Sequence, residues 1–340
     1  MMRKLICILF LFSVLHSGAQ DFTFSQFYEQ PLLRNPALAG VFKGDLRVSM
    51  SYRDQWGAIT VPFRTASLSI EHKTPVGKGD DFLTIGSQLS LDGAGDIRLK
   101  RTQLLPALNF HKSLSEDKDS YLSLAFMGGP VFSQFDPTQL KFGDQYGSGG
   151  FDPNNPTGEL IKNTGYHYWD VSAGISYTTV FSRQLNLYVA GGIAHVNHPS
   201  VRSVLGTAND AIAPRYSFNM GLNGKINDRD YITAFADYFT QNGNRQIIGG
   251  LLYGFATVTG YYGGEPNIFY IGSFFRAGDA VIPVVKLSFN HMTIGVSYDV
   301  NVSKLRTTSN WRGGLELSVA YTNFLKIRNS TLDKVRCIRF

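Results

Sequence analysis

The residues able to do chemistry are few and badly placed for it. The chain has seven histidines, His16, His72, His111, His167, His195, His198 and His291, and two cysteines, Cys7 and Cys337. Only His195 and His198 stand close together. In an extended segment, residues three apart point to opposite faces, so the pair is poorly arranged to share a metal. We read both as polar residues on a loop rim. No Gly-x-Ser-x-Gly elbow and no Ser/His/Asp order suggests a hydrolase. The run Asp152-Pro-Asn-Asn-Pro-Thr-Gly-Glu159 is rich in oxygen ligands but lacks the EF-hand pattern. Proline, asparagine and glycine are turn formers, and the run reads as a solvated loop. No catalytic residue, metal or cofactor is expected.

The elements that would position such residues begin with an exported leader. Arg3 and Lys4 precede the short apolar run Leu5–Leu15, and Ser17-Gly18-Ala19 offers small residues for cleavage. Residues 1–19 are expected to be a signal peptide. Cys7 has no lipobox around it. The cysteine left after cleavage, Cys337, makes no internal disulfide. A formal net charge of +6, without a basic stripe interleaved with aromatics, gives no argument for nucleic acid. No apolar run reaches the length of a transmembrane helix. An exported chain without such a helix is either soluble or a closed barrel, because hydrocarbon satisfies no open sheet edge.

Alternation decides for the barrel. Leu46, Val48, Met50 and Tyr52 share one face of a strand, against Arg47, Ser49, Ser51 and Arg53. Tyr216, Phe218, Met220 and Leu222 oppose Arg215, Ser217, Asn219 and Asn223. Met292, Ile294, Val296 and Tyr298 oppose Thr293, Gly295, Ser297 and Asp299, and Leu315, Leu317 and Val319 oppose Glu316, Ser318 and Ala320. Strands of about ten residues with an apolar face outward and a wet face inward are the pattern of an outer-membrane barrel. The expected fold is all-β, a transmembrane antiparallel β-barrel of about 14 strands, spanning 44–324. A turn at Asn290-His291 would pair Phe289 with Met292, Leu287 with Ile294 and Val285 with Val296, keeping the apolar side chains on one face. Leu317 is then expected to face lipid and Ser318 the lumen.

Connection lengths agree with this topology. The longest, about 136–165 and 198–212, both follow odd-numbered strands and face the exterior if the N-terminus is periplasmic. Trp56, Trp169 and Trp311 fall near that outer end, where an aromatic girdle belongs. Pro106, Pro130 and Pro283 fall inside strand runs, and each argues for a bulge or a shifted boundary. Residues 20–43 hold too many aromatics for a disordered leader and are expected to pack against the periplasmic mouth or inside the barrel. Residues 325–340 are expected to form a basic periplasmic tail suited to contact with another protein. Gly143, Asp144, Tyr146, Phe151, Asp152, Asn154, Val201 and Arg202, on the two long outer connections, are the candidate partner contacts.

The opening stretch carries Phe24-Ser25-Gln26, Pro31, Asn35-Pro36-Ala37 and Gly40, and the first strand carries Tyr52-Arg53-x-Gln55-Trp56. These segments resemble the PorP/SprF family of Bacteroidota. Ser297–Val302 and Gly313–Tyr321 resemble that family's last two strands. The ending, Cys337-Ile-Arg339-Phe340, departs from the family pattern by isoleucine in place of proline. The resemblance implies an outer-membrane component of the type IX secretion system, needed for export or surface anchoring of partner proteins such as gliding adhesins bearing a C-terminal targeting domain. It implies as partners that secreted protein, other secretion components and outer-membrane lipid. The barrel pattern alone also admits an outer-membrane solute channel or hydrophobic-nutrient transporter.

Overall fold

The computed structural model describes residues 21–325, except 58–60, 78, 116–118, 183–184, 203–208, 259–265 and 305. The expected signal peptide 1–19, the tail from 326 onward and its Cys337, Arg339 and Phe340 lie outside the described residues.

Alternating apolar and polar residues close into an antiparallel barrel of fourteen strands. In chain order they are β1 (Leu46–Gln55), β2 (Phe63–Pro75), β3 (Phe82–Ala94), β4 (Leu99–Ser113) and β5 (Ser120–Gln134), then, after the short strands β6 (Tyr146–Gly147) and β7 (Gly150–Phe151), β8 (Gly165–Ser182) and β9 (Leu185–Ala194). A second short pair, β10 (Ser200–Arg202) and β11 (Asn209–Ala211), follows. The wall resumes with β12 (Arg215–Lys225), β13 (Asp230–Gln241), β14 (Asn244–Val258), β15 (Asn267–Arg276), β16 (Ala280–Phe289), β17 (Met292–Asn301) and β18 (Arg312–Asn323). β18 pairs with β1, Met50 facing Val319, and closes the wall. None of the described helices is long and apolar enough to cross a membrane.

The register holds the faces apart. Phe289 pairs with Met292, Leu287 with Ile294 and Val285 with Val296. Leu317 is 44% exposed and Ser318 only 3%, so the first points outward and the second into the lumen. Trp169 and Trp311 are exposed at the end of the barrel that carries the long connections. Those connections are 135–164 and 195–214, and the opposite end has tight turns such as 290–291.

The prolines mark neither bulges nor boundaries. Pro106, Pro130 and Pro283 lie within β4, β5 and β16. β4 and β5 pair up to Gln103↔Val131 and again from Ala107↔Met127, leaving unpaired the stretch that holds Pro106 and Pro130. A similar gap between Val281↔Val300 and Val284↔Ser297 holds Pro283. Proline brings no N–H to the ladder, and the strands keep their direction across the missing bonds. Gly129 makes this close run possible, since a Cβ there would sit 2.0 Å from the Leu104 carbonyl oxygen.

The lumen is filled by the chain's own N-terminal segment. Residues 24–40 are buried almost throughout. They form a 3-10 turn at Phe27–Glu29, one helical turn at Pro31–Arg34 and a second 3-10 turn at Pro36–Leu38. Pro31 and Pro36 each start a turn, where a missing N–H costs nothing. Asn35 caps the last turn by accepting the Ala37 N–H at 2.9 Å. Gly40 ends it at φ +81°, and a Cβ there would meet Thr84 Oγ1 at 2.1 Å. Asp21 contacts Arg101, His195 and Arg215, all at the long-connection end. Phe42 meets Lys73 at the opposite end. The segment therefore runs the height of the lumen and enters β1 at the short-turn end. The segment from Asp21 to Phe42 lies inside the wall, with Asp21 at the far mouth.

Candidate functional site

The polar face of the wall and the inserted segment form one interlocked site. Its centre is at Ser25 and Gln26. Both backbone N–H groups donate to Glu316, at 2.6 and 2.7 Å, and Gln26 Oε1 accepts from Ser318 Oγ at 2.8 Å. The Ser25 hydroxyl donates to Asp299 and accepts from Arg276 Nη2 at 2.7 Å. Asp299 also takes Arg53 at 2.7 Å and Arg276 at 3.1 Å, and Arg53 donates to the Thr23 carbonyl as well. Two guanidiniums facing a buried carboxylate, with hydrogen bonds on most sides, satisfy charges that would otherwise be costly inside a wall.

Further down the lumen, Arg34 grips Asp237 with two parallel bonds, at 2.7 and 2.6 Å, and donates to the Tyr188 hydroxyl at 2.7 Å. This fork geometry is what arginine offers and lysine does not. The same guanidinium lies 5.0 Å from the Phe27 ring. Phe27 and Tyr28 pack against Phe235 and Phe274 in an aromatic cluster. Lys286 reaches Glu29 at 2.6 Å. Glu71 takes Arg47 at 2.7 Å and the Gly40 N–H at 2.8 Å.

The wall is also shaped to the segment by missing side chains. A Cβ on Gly174 or Gly192 would strike the Asn35 side chain at 2.0 and 2.8 Å, and one on Gly295 would strike Gln26 at 2.2 Å. Among the described residues, spaces between segment and wall include one of about 30 Å³ beside Asp21, Leu105 and Met127 and one of about 20 Å³ beside Leu33 and Ile193. Each is room for one or two waters.

Most of the motif positions meet here. Phe24, Ser25, Gln26, Pro31, Asn35, Pro36 and Ala37 are buried in the segment. Arg53 points into the lumen, while its neighbour Tyr52 points outward and is 42% exposed. Trp56 follows β1 at φ +62°, donates its N–H to Gly313 O at 2.9 Å and packs edge-on against Phe63. Gln55, beside it, ends β1 and faces Phe63 and Gly314 across the two ladders.

His195 corrects the sequence reading. It is not a rim residue but is buried, with Nδ1 2.8 Å from Asp170 and Nε2 2.8 Å from Asp21. Burial pushes its pKa down, but hydrogen bonds to Asp170 and Asp21 outweigh burial and raise it to about 9. His198 is exposed at φ +47°, and its backbone N–H donates to the His195 carbonyl at 3.0 Å. No group of metal-ligating side chains forms among the described residues. The lumen charges Asp21, Arg34, Asp170, Asp237 and Arg276 were not singled out from the sequence. For Asp170, Asp237 and Arg276 the signal was a charge on the inward phase of a strand, which says where a side chain points and not what it meets; Asp21 and Arg34, on the inserted segment, carried no such signal.

The candidate contact residues fall on two separate outer features. Gly143 opens a short 3-10 turn, and Asp144 accepts the Gly158 N–H at 2.7 Å. Tyr146 pairs with Phe151 across β6 and β7, with ring centroids 5.4 Å apart. Asp152 accepts from the Asn154 backbone N–H at 2.9 Å, the turn expected of that run. These six residues make one compact exposed hairpin. Val201 pairs with Asp210 in the other hairpin, and Arg202 with Asn209.

Residues 16–321 match the model of the type IX secretion system membrane protein PorP/SprF. No curated protein matches the chain. Among solved structures, the chain is similar to the toluene transporter TodX of Pseudomonas putida, with 11% identity over 89% of this chain and 95% of that one at a TM-score of 0.47. It is similar to the CymD monoaromatic hydrocarbon channel, with 11% identity over 88% and 94% at 0.45, and to the KdgM porin, with 8% identity over 81% and 98% at 0.35.

Proposed function

This chain belongs to the PorP/SprF family of type IX secretion system membrane proteins, and on that premise we propose that it is a non-enzymatic outer-membrane platform of a Bacteroidota cell that receives or anchors exported surface proteins. Gliding adhesins with a C-terminal targeting domain are the kind of client we assign to it. The observation that carries the reading is the filled lumen. A segment fixed from Asp21 to Phe42 by bidentate, charge-assisted and aromatic contacts leaves little for a conduit to use. What remains for function is the surface, and the long-connection end presents the ordered hairpin around Tyr146 and Phe151. Loops on a rigid barrel are a usual place for recognition.

The test is the location of the client. Replacing residues 143–160 by a short Gly/Ser linker should leave the barrel assembled, since shortening a solvated loop disturbs no wall contact. The client should then appear in the medium or stay trapped inside the cell. A client that remains surface-bound while solute uptake changes would replace this reading by that of a channel.

A further inference from the structure

We propose that the long-connection end of the lumen holds a carboxylate-binding site built on Arg101, Arg215 and His195, occupied at rest by Asp21 of the same chain, and that an acidic segment of an exported polypeptide takes it in exchange for Asp21. The polypeptide nature of the ligand rests on the function proposed above; the site rests on its own geometry. Both oxygens of the Asp21 carboxylate are engaged. Arg101 Nη1 is 3.0 Å from Oδ1, while His195 Nε2 is 2.8 Å and Arg215 Nη1 3.6 Å from Oδ2. The wall groups are themselves held in place. Asp170 fixes the far nitrogen of His195 at 2.8 Å, Arg101 donates to the Tyr168 hydroxyl at 2.9 Å, and Arg215 donates to the Leu33 carbonyl at 2.8 Å.

Charge makes an anion necessary here. With Asp21 withdrawn, the Arg101 and Arg215 guanidiniums would lose the carboxylate they share, and uncompensated buried charge is strongly unfavourable. The donors are not exhausted even with Asp21 in place, because the Nε atoms of Arg101 and Arg215 are buried without a partner. Cavities of about 30 and 20 Å³ flank Asp21 on both sides, and both reach Arg215. Each is room for one or two waters, so the exchange proposed is of the ligand for Asp21 and not an addition beside it.

Exchange is also mechanically simple. Asp21 lies at the leading end of the segment, and its side chain is 16% exposed. The anchors at Ser25, Arg34 and Gly40 lie further along and need not move. Phe22 lines the larger cavity, so the resident ligand is a carboxylate followed by an aromatic ring. That is the pattern a competing peptide would copy.

The experiment uses the full chain purified in detergent, with three probes: a blocked, dye-labelled peptide carrying Asp-Phe, its Asn-Phe counterpart, and sodium acetate. A tethered Asp21 competes at high effective concentration, so Asp21→Asn should tighten Asp-Phe binding by at least about tenfold. Asp21→Ala should do the same. Adding Arg215→Gln, or Arg101→Gln, to either variant should abolish the gain, with heat-modifiable migration confirming a folded barrel in each. No gain on losing Asp21, or equal binding of the Asn-Phe peptide, would overturn the site. Acetate competing as well as the peptide would overturn the polypeptide assignment. Because the readout is made on the purified chain, it stands or falls separately from client location.

Discussion

At the residue scale, Glu316 does more than occupy the inward face of a strand. It accepts both the Ser25 and Gln26 N–H groups. Glu316→Gln turns one acceptor into a donor that faces an N–H. Hydrogen bonds to charged groups contribute about 1.5–3 kcal/mol, so local opening of the segment should become about tenfold to a hundredfold more frequent. The rate of trypsin cleavage after the buried Arg34 reads this directly. Two neighbours separate wall from filling. Leu317→Arg places a charge against lipid at a cost of about 2–4 kcal/mol and should reduce the folded, heat-modifiable barrel. Ser318→Arg presses on Gln26, and should leave the barrel folded while raising cleavage after Arg34. Equal behaviour of the two would contradict the register.

His195 adds a pH dependence. Its pKa is raised to about 9 from an ordinary value of about 6.5, so folding favours the protonated ring. The contribution is complete below about pH 6.5 and is lost as pH rises through about 9. With Cys337 replaced by Ser, Thr23→Cys should react faster with a thiol reagent at pH 9.5 than at pH 6, after correction for thiolate fraction. His195→Asn should flatten that difference.

At the scale of elements, what the sequence made legible follows its periodicity. A repeat of two residues tells which face each side chain takes, and the turn at Asn290-His291 tells which residues pair. Strand order, the outward belt and the long connections came from the same signal. The prolines were less legible, because a missing donor does not say whether the chain bulges or continues. Here continuation depends on backbone proximity at Gly129. Gly129→Ala would drive a Cβ into the Leu104 carbonyl at 2.0 Å, and should cost about 1–3 kcal/mol and lower the yield of folded barrel. Gly191→Ala, with nothing within 4 Å of the new Cβ, is the matched substitution and should leave the yield unchanged. The lumen site was legible only in pieces. Ser25, Gln26 and Arg53 stood out through the family resemblance, and Asp299 and Glu316 through strand phase. Nothing local announces that positions 25 and 316 will touch, and the burial of His195 depends on Asp21 arriving from the far end of the chain.

At the scale of the whole molecule, wall and segment account for one another. The glycines at 174, 192 and 295 make room for Asn35 and Gln26, and the inward charges of the wall find their partners on the segment. A barrel whose inward charges are satisfied by a built-in segment is arranged to stay shut, and the partner contacts proposed above then fall to its ends. Planar-bilayer conductance tests that claim most directly. The full chain should insert without porin-like single-channel steps, while a chain lacking residues 21–42, if folded by heat-modifiable migration, should give stable open steps. Large, stable conductance from the full chain at neutral pH would contradict the account.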